Sequence, residues 1–212
     1  MPHADLAVLT GDIIKSSRLP EGTLDVAMAA LGAAAAAMSA WPEAGAARFA
    51  RFRGDGWQCL APRPAQALRA ALFLRAHLRA LDRETDTRIS VGIGPGIAPL
   101  GGGLAAASGA AFELSGRGLD DMTRPQTFAV TWAAPKPGAG LIAAVFALAD
   151  EISGLWTPRQ AEVMIETLGP GDTAQRQIAG RRGVSQQAIA KHLSAGGDWA
   201  LQRALAAVEG ES

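Results

Sequence analysis

With 212 residues, 49% of them hydrophobic and 19% charged, the chain has the composition of an ordinary soluble globular protein, with room for one large domain or two small ones. Lys plus Arg and Asp plus Glu both number 20, which excludes recognition of a polyanion by bulk charge and requires any nucleic-acid site to be local. The single Cys59 excludes a disulfide framework and a multi-thiolate zinc centre. Met1 to Asp5 contains no basic segment leading into a long apolar one, so neither signal peptide nor membrane span is expected, and a cytoplasmic location is.

Leu6-Ala7-Val8-Leu9 reads as a strand, with Asp12 of Thr10-Gly11-Asp12-Ile13 projecting from its end. Leu24, Met28, Leu31, Ala35 and Met38 recur at steps of four and three, one apolar stripe along a helix ending near Trp41-Pro42. Residues 48–53 and 57–61 flank Gly54-Asp55-Gly56, the pattern of a hairpin tip. A second helix is expected over 64–81, its buried face formed by Ala67, Ala71, Leu74, Leu78 and Leu81 and widened by Leu68 and Leu72. Arg69, Arg75, Arg79 and Arg83 fall elsewhere on it and read as a solvated face.

Residues 88–94 alternate apolar with small or polar side chains, a strand that leads toward the glycine-rich 101–103. A helix is expected over 105–122 and a last strand over 127–132. The order strand, helix, hairpin, helix, strand, helix, strand suits an α+β fold, an antiparallel or mixed sheet with helices on one face. If the first strand and the hairpin are neighbours, the carboxylates of Asp12 and Asp55 converge. Hard divalent cations prefer oxygen ligands, and two carboxylates with the phosphates of a nucleotide are a usual way to hold magnesium. Each aspartate alone also suits a plain turn.

The prolines and glycines of 133–140 close a first domain, placed at 1–136, and Leu141, Val145, Leu148 and Ile152 describe a connector helix within 137–154. Residues 155–212 read as a small all-α domain. Thr157-Pro158-Arg159-Gln160 has the capping-box pattern with proline at the first helical position, and Gly169-Pro170-Gly171 stops that helix. From Gln175 to Ser194 the pattern is a helix-turn-helix: small Ala179 where the helices touch, Gly183 in the turn, Ile189 locking the second helix, and Ile178, Val184 and Leu193 as further core. Ser185 caps the second helix, leaving Gln186, Gln187 and Lys191 to a major groove, with Arg181 and Arg182 beside them. Between Thr173 and Gly196 there are four Lys or Arg and no Asp or Glu, a locally positive field. A closing helix over 198–208 either packs back on the motif or serves a dimer partner.

The segments Val8-Leu9-Thr10-Gly11-Asp12-Ile13, Arg53-Gly54-Asp55-Gly56, Arg88 to Gly94 and Gly109 to Arg117 together resemble the catalytic domain of class III nucleotide cyclases, over about residues 5–134. With the helix-turn-helix over 155–208, the whole chain resembles the SatD-type bacterial proteins, which couple such a domain to a C-terminal DNA-binding one. The resemblance implies a ferredoxin-like or cyclase-like sheet, a metal pair Asp12 and Asp55 for Mg2+ or Mn2+, a nucleotide-contacting Arg51, and Arg117 as the catalytic arginine that steadies phosphoryl charge. The family's substrate-orienting Asn is Glu113 here, an anion where a triphosphate is expected, and Ala110 lacks the polar side chain that helps select a base. At four ångströms two unit charges interact by about 4 kcal/mol at an effective dielectric near 20, so Glu113 opposes triphosphate binding. The expected function is therefore a DNA-binding regulator, a homodimer on duplex DNA, whose cyclase-like domain senses a nucleotide or serves dimerisation. An active metal-dependent nucleotidyl cyclase and a protein-interaction scaffold are the alternatives.

Overall fold

The computed structural model describes residues 5–41, 47–52, 54–98, 103–169 and 173–210. Its first half is built on β1 (Asp5–Ile13), α1 (Thr23–Met38), β2 (Arg48–Phe52), β3 (Gly56–Leu60), α2 (Ala67–Leu81) and β4 (Thr87–Ile97). The strands lie in the order β2-β3-β1-β4 with antiparallel neighbours, the ferredoxin-like arrangement of two βαβ halves sharing one sheet. Two further strands join at β4. β6 (Phe128–Trp132) pairs with it in parallel, after a crossover through α3 (Ala110–Asp120), and the short β5 (Ser108–Gly109) pairs with its far end. The fold is α+β with a mixed sheet. The segment expected to be one helix over 105–122 divides into a short 3-10 turn at Leu104–Ala106, β5 and α3. Arg53, Gly101, Gly102, Pro170 and Gly171, which entered the sequence patterns, lie outside the described residues.

Strand alternation sorts the side chains onto two faces. Ala7, Leu9, Ile13, Ile89 and Val91 are buried in one cluster with Leu31 and Met38 of α1 and Leu68, Leu72 and Leu74 of α2. Val8 points the other way, to a smaller cluster with Leu60, Leu104 and Ala111 of α3. The expectation of helices on one face is thus corrected: α3 covers the second face, and glycine makes its approach possible. A Cβ on Gly92 would stand 2.1 Å from the Ala111 carbonyl oxygen and 2.6 Å from the Ser115 amide nitrogen, both backbone atoms. Above Gly92 on this face come Ser90 and Arg88, and beside them on β1 Thr10 and Asp12. Thr10 is tied to Ser115 of α3 by a 2.7 Å hydroxyl contact.

After β6 the chain forms α4 (Ala139–Gly154), α5 (Pro158–Leu168), α6 (Gln175–Arg182), α7 (Gln186–Ala195) and α8 (Asp198–Gly210). α4 buries Ile142, Phe146 and Ala149, whereas Leu141 and Leu148 of the expected stripe are 77% and 65% exposed. Its packing face is therefore rotated by one position from the sequence reading, because apolar residues at 141 and 142, 145 and 146, and 148 and 149 offer two adjacent stripes that periodicity alone does not separate. The helix does not stand free: it lies against β6 and α2. The start of α5 follows expectation, with Thr157 and Gln160 capping each other's backbone amides and Pro158 in the first turn. α5 lies along α2, and residues from Leu9 of the sheet to Val208 of α8 belong to one continuous buried cluster.

Arginines on α2 fasten this assembly, and reading Arg69, Arg75 and Arg79 as a solvated face is overturned, whereas Arg83, past the end of the helix, is exposed as expected. Arg75 is 2% exposed and Arg79 6%. Arg75 donates through Nε and Nη2 to Asp86 (2.8 and 2.6 Å) and through Nη1 to the Asp150 carboxylate (2.7 Å), while Arg79 donates to the carbonyls of Arg83, Gly154 and Trp156. Arg69 forms a two-pronged pair with Glu209 of α8 at 2.6 and 2.9 Å. Burial by itself lowers the affinity of Arg75 for its proton, but Asp86 and Asp150 together overcome it and hold the guanidinium above its ordinary value. Long arginine stems suit this role, since they present methylenes to a core while the planar head satisfies several acceptors at once.

Candidate functional site

Most of the residues singled out from the sequence fall in two constellations. The first lies at the end of β1. Asp12 has Gly56 of β3 as its cross-strand partner on one side and Arg88 of β4 on the other. The Ile13 amide donates to the Asp55 carbonyl at 3.2 Å, so the hairpin tip that bears Asp55 is held against the strand end that bears Asp12. Gly54 in the tip has a positive φ of 76°, the left-handed turn that favours glycine.

What surrounds the pair is not what a metal needs. Both oxygens of Asp12 accept from one guanidinium, Oδ1 from Arg88 Nε at 2.9 Å and Oδ2 from Nη2. The remaining arginine nitrogen, Nη1, leans toward the Leu119 carbonyl at 3.5 Å. Asp55 accepts from the hydroxyl of Ser16, which sits in the 3-10 turn after β1. Arg88 is held above its ordinary pKa first by its hydrogen bonds to Asp12, opposed by partial burial, with the nearby charges of Asp120 and Asp55 adding to the effect. Among the described residues no group of three or more His, Cys, Asp or Glu forms a set of metal ligands. The carboxylates as placed therefore do not fit Mg2+ or Mn2+.

The other residues named by resemblance stand apart from this pair. Arg51 on β2 donates to Asp25 of α1 at 2.6 Å and to the Gly54 carbonyl at 2.7 Å, bracing the hairpin. Glu113 and Arg117 lie one helical turn apart on the face of α3 opposite Ala111 and Ser115, 3.9 Å from each other and about 70% exposed. Neither side chain turns toward the sheet face that holds Asp12. Arg88, Ser16 and Asp120 were not singled out from the sequence. Cross-strand register is what places Arg88 beside Asp12, and register is not written in any local pattern.

The second constellation is the C-terminal helix triad. Gly183, with φ 63°, makes the turn between α6 and α7, and the Ser185 hydroxyl accepts from the Ala188 amide as the cap of α7. Ile178, Ala179, Ile189 and Leu193 are buried as expected, but Val184 is 40% exposed and belongs to the surface of the turn. Gln186, Gln187 and Lys191 are exposed; Gln187 and Lys191, four residues apart, share the side of α7 away from Ile189 and Leu193, whereas Gln186 lies at the helix start on the row that continues to Ile189 and Leu193. The positive field expected from the cation count is reduced by acids in α5. Arg181 pairs with Glu166 at 2.7 Å, and Arg182 reaches Glu162 at 2.9 Å and Glu166 at 3.3 Å. Over 155–212 six Lys or Arg stand against six Asp or Glu. α8 packs back on α7, α5 and α2.

Among the described residues no helix is long and apolar enough to cross a membrane. No family model matches the chain, and no curated protein matches it. Among solved structures the chain is similar to the crystal structure of the guanylyl cyclase Cya2, with 17% identity and a TM-score of 0.41 over 58% of this chain and 74% of that one. At that identity and TM-score the likeness carries no argument about activity, ligand or partner.

Proposed function

We propose that the chain is a duplex-DNA-binding regulator in which α7 enters the major groove, and in which the sheet half is a divergent nucleotide cyclase-like module used for sensing or for forming a homodimer. One observation carries the reading: a capped helix following a left-handed glycine turn exposes two amides, Gln186 and Gln187, at its start and a cation, Lys191, one turn on from Gln187. In this motif the first residues of the second helix meet base edges; a glutamine amide pairs in two places with adenine, and a lysine neutralises phosphate. Ser185, which caps α7, contacts the backbone of the same duplex in this reading. Arg181 and Arg182 act differently from Lys191. Their pairs with Glu162 and Glu166 fix α6 on α5 and so set the angle at which α7 is presented.

Because the C-terminal charge balances, affinity depends on groove fit and on two copies binding together more than on counterion release. The test is selection of sequences by the full chain from a randomised duplex pool, followed by fluorescence anisotropy over a salt series. Lys191→Ala should lower the slope of log affinity against log salt by about one, and Gln187→Ala should relax one position of the selected sequence at a cost of about 1 to 3 kcal/mol. Recovery of no preferred sequence, or an unchanged preference in both Gln186→Ala and Gln187→Ala, refutes the assignment of α7.

A further inference from the structure

We propose that the Arg88 guanidinium is a built-in counter-cation of the Asp12–Asp55 site, occupying the place a divalent ion would take and keeping metal out of it. The inference concerns the sheet half alone and stands whether or not α7 reads DNA. A divalent cation at a pair of aspartates does two things: it neutralises their charge, and it draws their oxygens to one point. Asp55 is held by the Ser16 hydroxyl, while Arg88 supplies the charge here without an ion and gathers both oxygens of Asp12. Its fork matches the carboxylate of Asp12 tooth for tooth, the geometry in which a guanidinium competes best. Its charge is also shared with Asp55 and Asp120, so three acidic groups lean on one cation.

Arg88 is moreover not a chance visitor from a loop. It is the second residue of β4, whose register with β1 runs unbroken from Thr87 opposite Ile13 to Pro95 opposite Asp5. The two residues before it are pinned as well: Asp86 by Arg75, and Thr87 through its hydroxyl, which donates to the Asp12 carbonyl at 2.7 Å and accepts from Trp57 Nε1 at 3.0 Å. Withdrawing Arg88 needs only rotation of its own side chain, which is 35% exposed, whereas moving its backbone would disturb the centre of the sheet. The carboxylate it covers is 25% exposed, so an ion in solvent reaches the site once the arginine leaves.

The experiment is Mn2+ binding to the full chain, followed by the loss of free-ion electron paramagnetic resonance signal, for the unmodified protein and for Arg88→Ala, Arg88→Gln and Arg88→Lys. The alanine and glutamine variants should bind one Mn2+ at least roughly 100-fold more tightly than the unmodified protein, and the lysine variant should stay weak, since a fixed charge beside the carboxylate is what excludes the ion. Adding Asp12→Asn to Arg88→Ala should abolish the gain. Tight Mn2+ binding by the unmodified protein that Asp12→Asn removes would overturn the proposal. So would a folded Arg88→Gln protein, by circular dichroism and Trp57 fluorescence, that gains nothing. Arg88→Gln keeps most of the stem and a donor for Asp12, so it tests the idea even where Arg88→Ala fails to fold.

Discussion

Replacing Arg75 by methionine removes a guanidinium but keeps an unbranched apolar stem in a site with 2% exposure. Five donor contacts disappear: two to Asp86, and three to the Asp150 carboxylate, the Asp150 carbonyl and Ser153. Two carboxylates, each with side-chain exposure near 12%, lose the cation between them. Breaking a buried ion pair from one side costs about 3 to 5 kcal/mol, because the partner stays buried and uncompensated. The low end applies here. Asp150 keeps the backbone amides of Thr127 and Phe128 at 2.7 and 2.9 Å, and Asp86 keeps that of Thr87 at 2.9 Å. A loss of about 3 kcal/mol is expected, or a fall of roughly 6 to 12 °C in melting temperature for a chain of this size. Urea unfolding followed by tryptophan fluorescence measures it. Adding Asp150→Asn to Arg75→Met should cost less than the two single losses combined, since no lone charge remains on that side. A loss under about 1 kcal/mol in Arg75→Met, or strict additivity in the pair, would refute the view that this arginine fastens α4 to the sheet.

Gly92→Ala should destabilise the protein by about 3 kcal/mol in the same assay, because the new methyl meets backbone atoms of α3 that have no room to yield; Gly116→Ala, with open space around its Cβ, should be neutral or gain up to about 1 kcal/mol. His77 is held below its ordinary pKa by burial, so the folded state prefers the neutral ring and the unfolded chain binds the extra proton first. Its contribution is thus intact above pH 6.5, the unfolded value, and is lost as pH falls below it. Urea midpoints from pH 5 to 8 should show that decline in the unmodified protein and a shallower one in His77→Gln.

The element order was legible because each element carries a local signal. Alternation marks β4, steps of three and four mark α1 and α2, and the pattern of Thr157 to Gln160 marks the start of α5. The meeting of the hairpin tip that bears Asp55 with the strand end that bears Asp12 was legible for the same reason, as both are local patterns. What the sequence hid depends on pairing at a distance. Arg75 lies on a helix face that a periodicity count assigns to solvent, and only the arrival of Asp86 and Asp150 makes it interior. Arg88 reads as the polar start of a strand until β1 is laid beside it. Likewise, four cations without an acid between Thr173 and Gly196 look like an open positive surface, yet the acids that answer two of them sit earlier, on α5. α3 on the second sheet face follows from Gly92 and Gly118, whose missing side chains are a packing feature and not a turn.

The seam formed by Arg69, Arg75 and Arg79 has a consequence for how this chain behaves as a piece of inheritance. Helix-turn-helix units commonly travel between proteins as separable cassettes, joined by linkers that tolerate exchange. Here the triad rests on α2 through α5, its last helix is clasped by Arg69, and the carbonyls on either side of Leu155 are claimed by Arg79. A cut near residue 155 would disturb the acceptors of Arg79 Nη2 at Gly154 and Trp156, leaving Arg79 the Arg83 carbonyl, and would bare apolar helix faces on the other fragment. The α7 surface is accordingly expected to melt with the sheet in a single transition, and substitutions at the buried face of α2 to be felt there through α5.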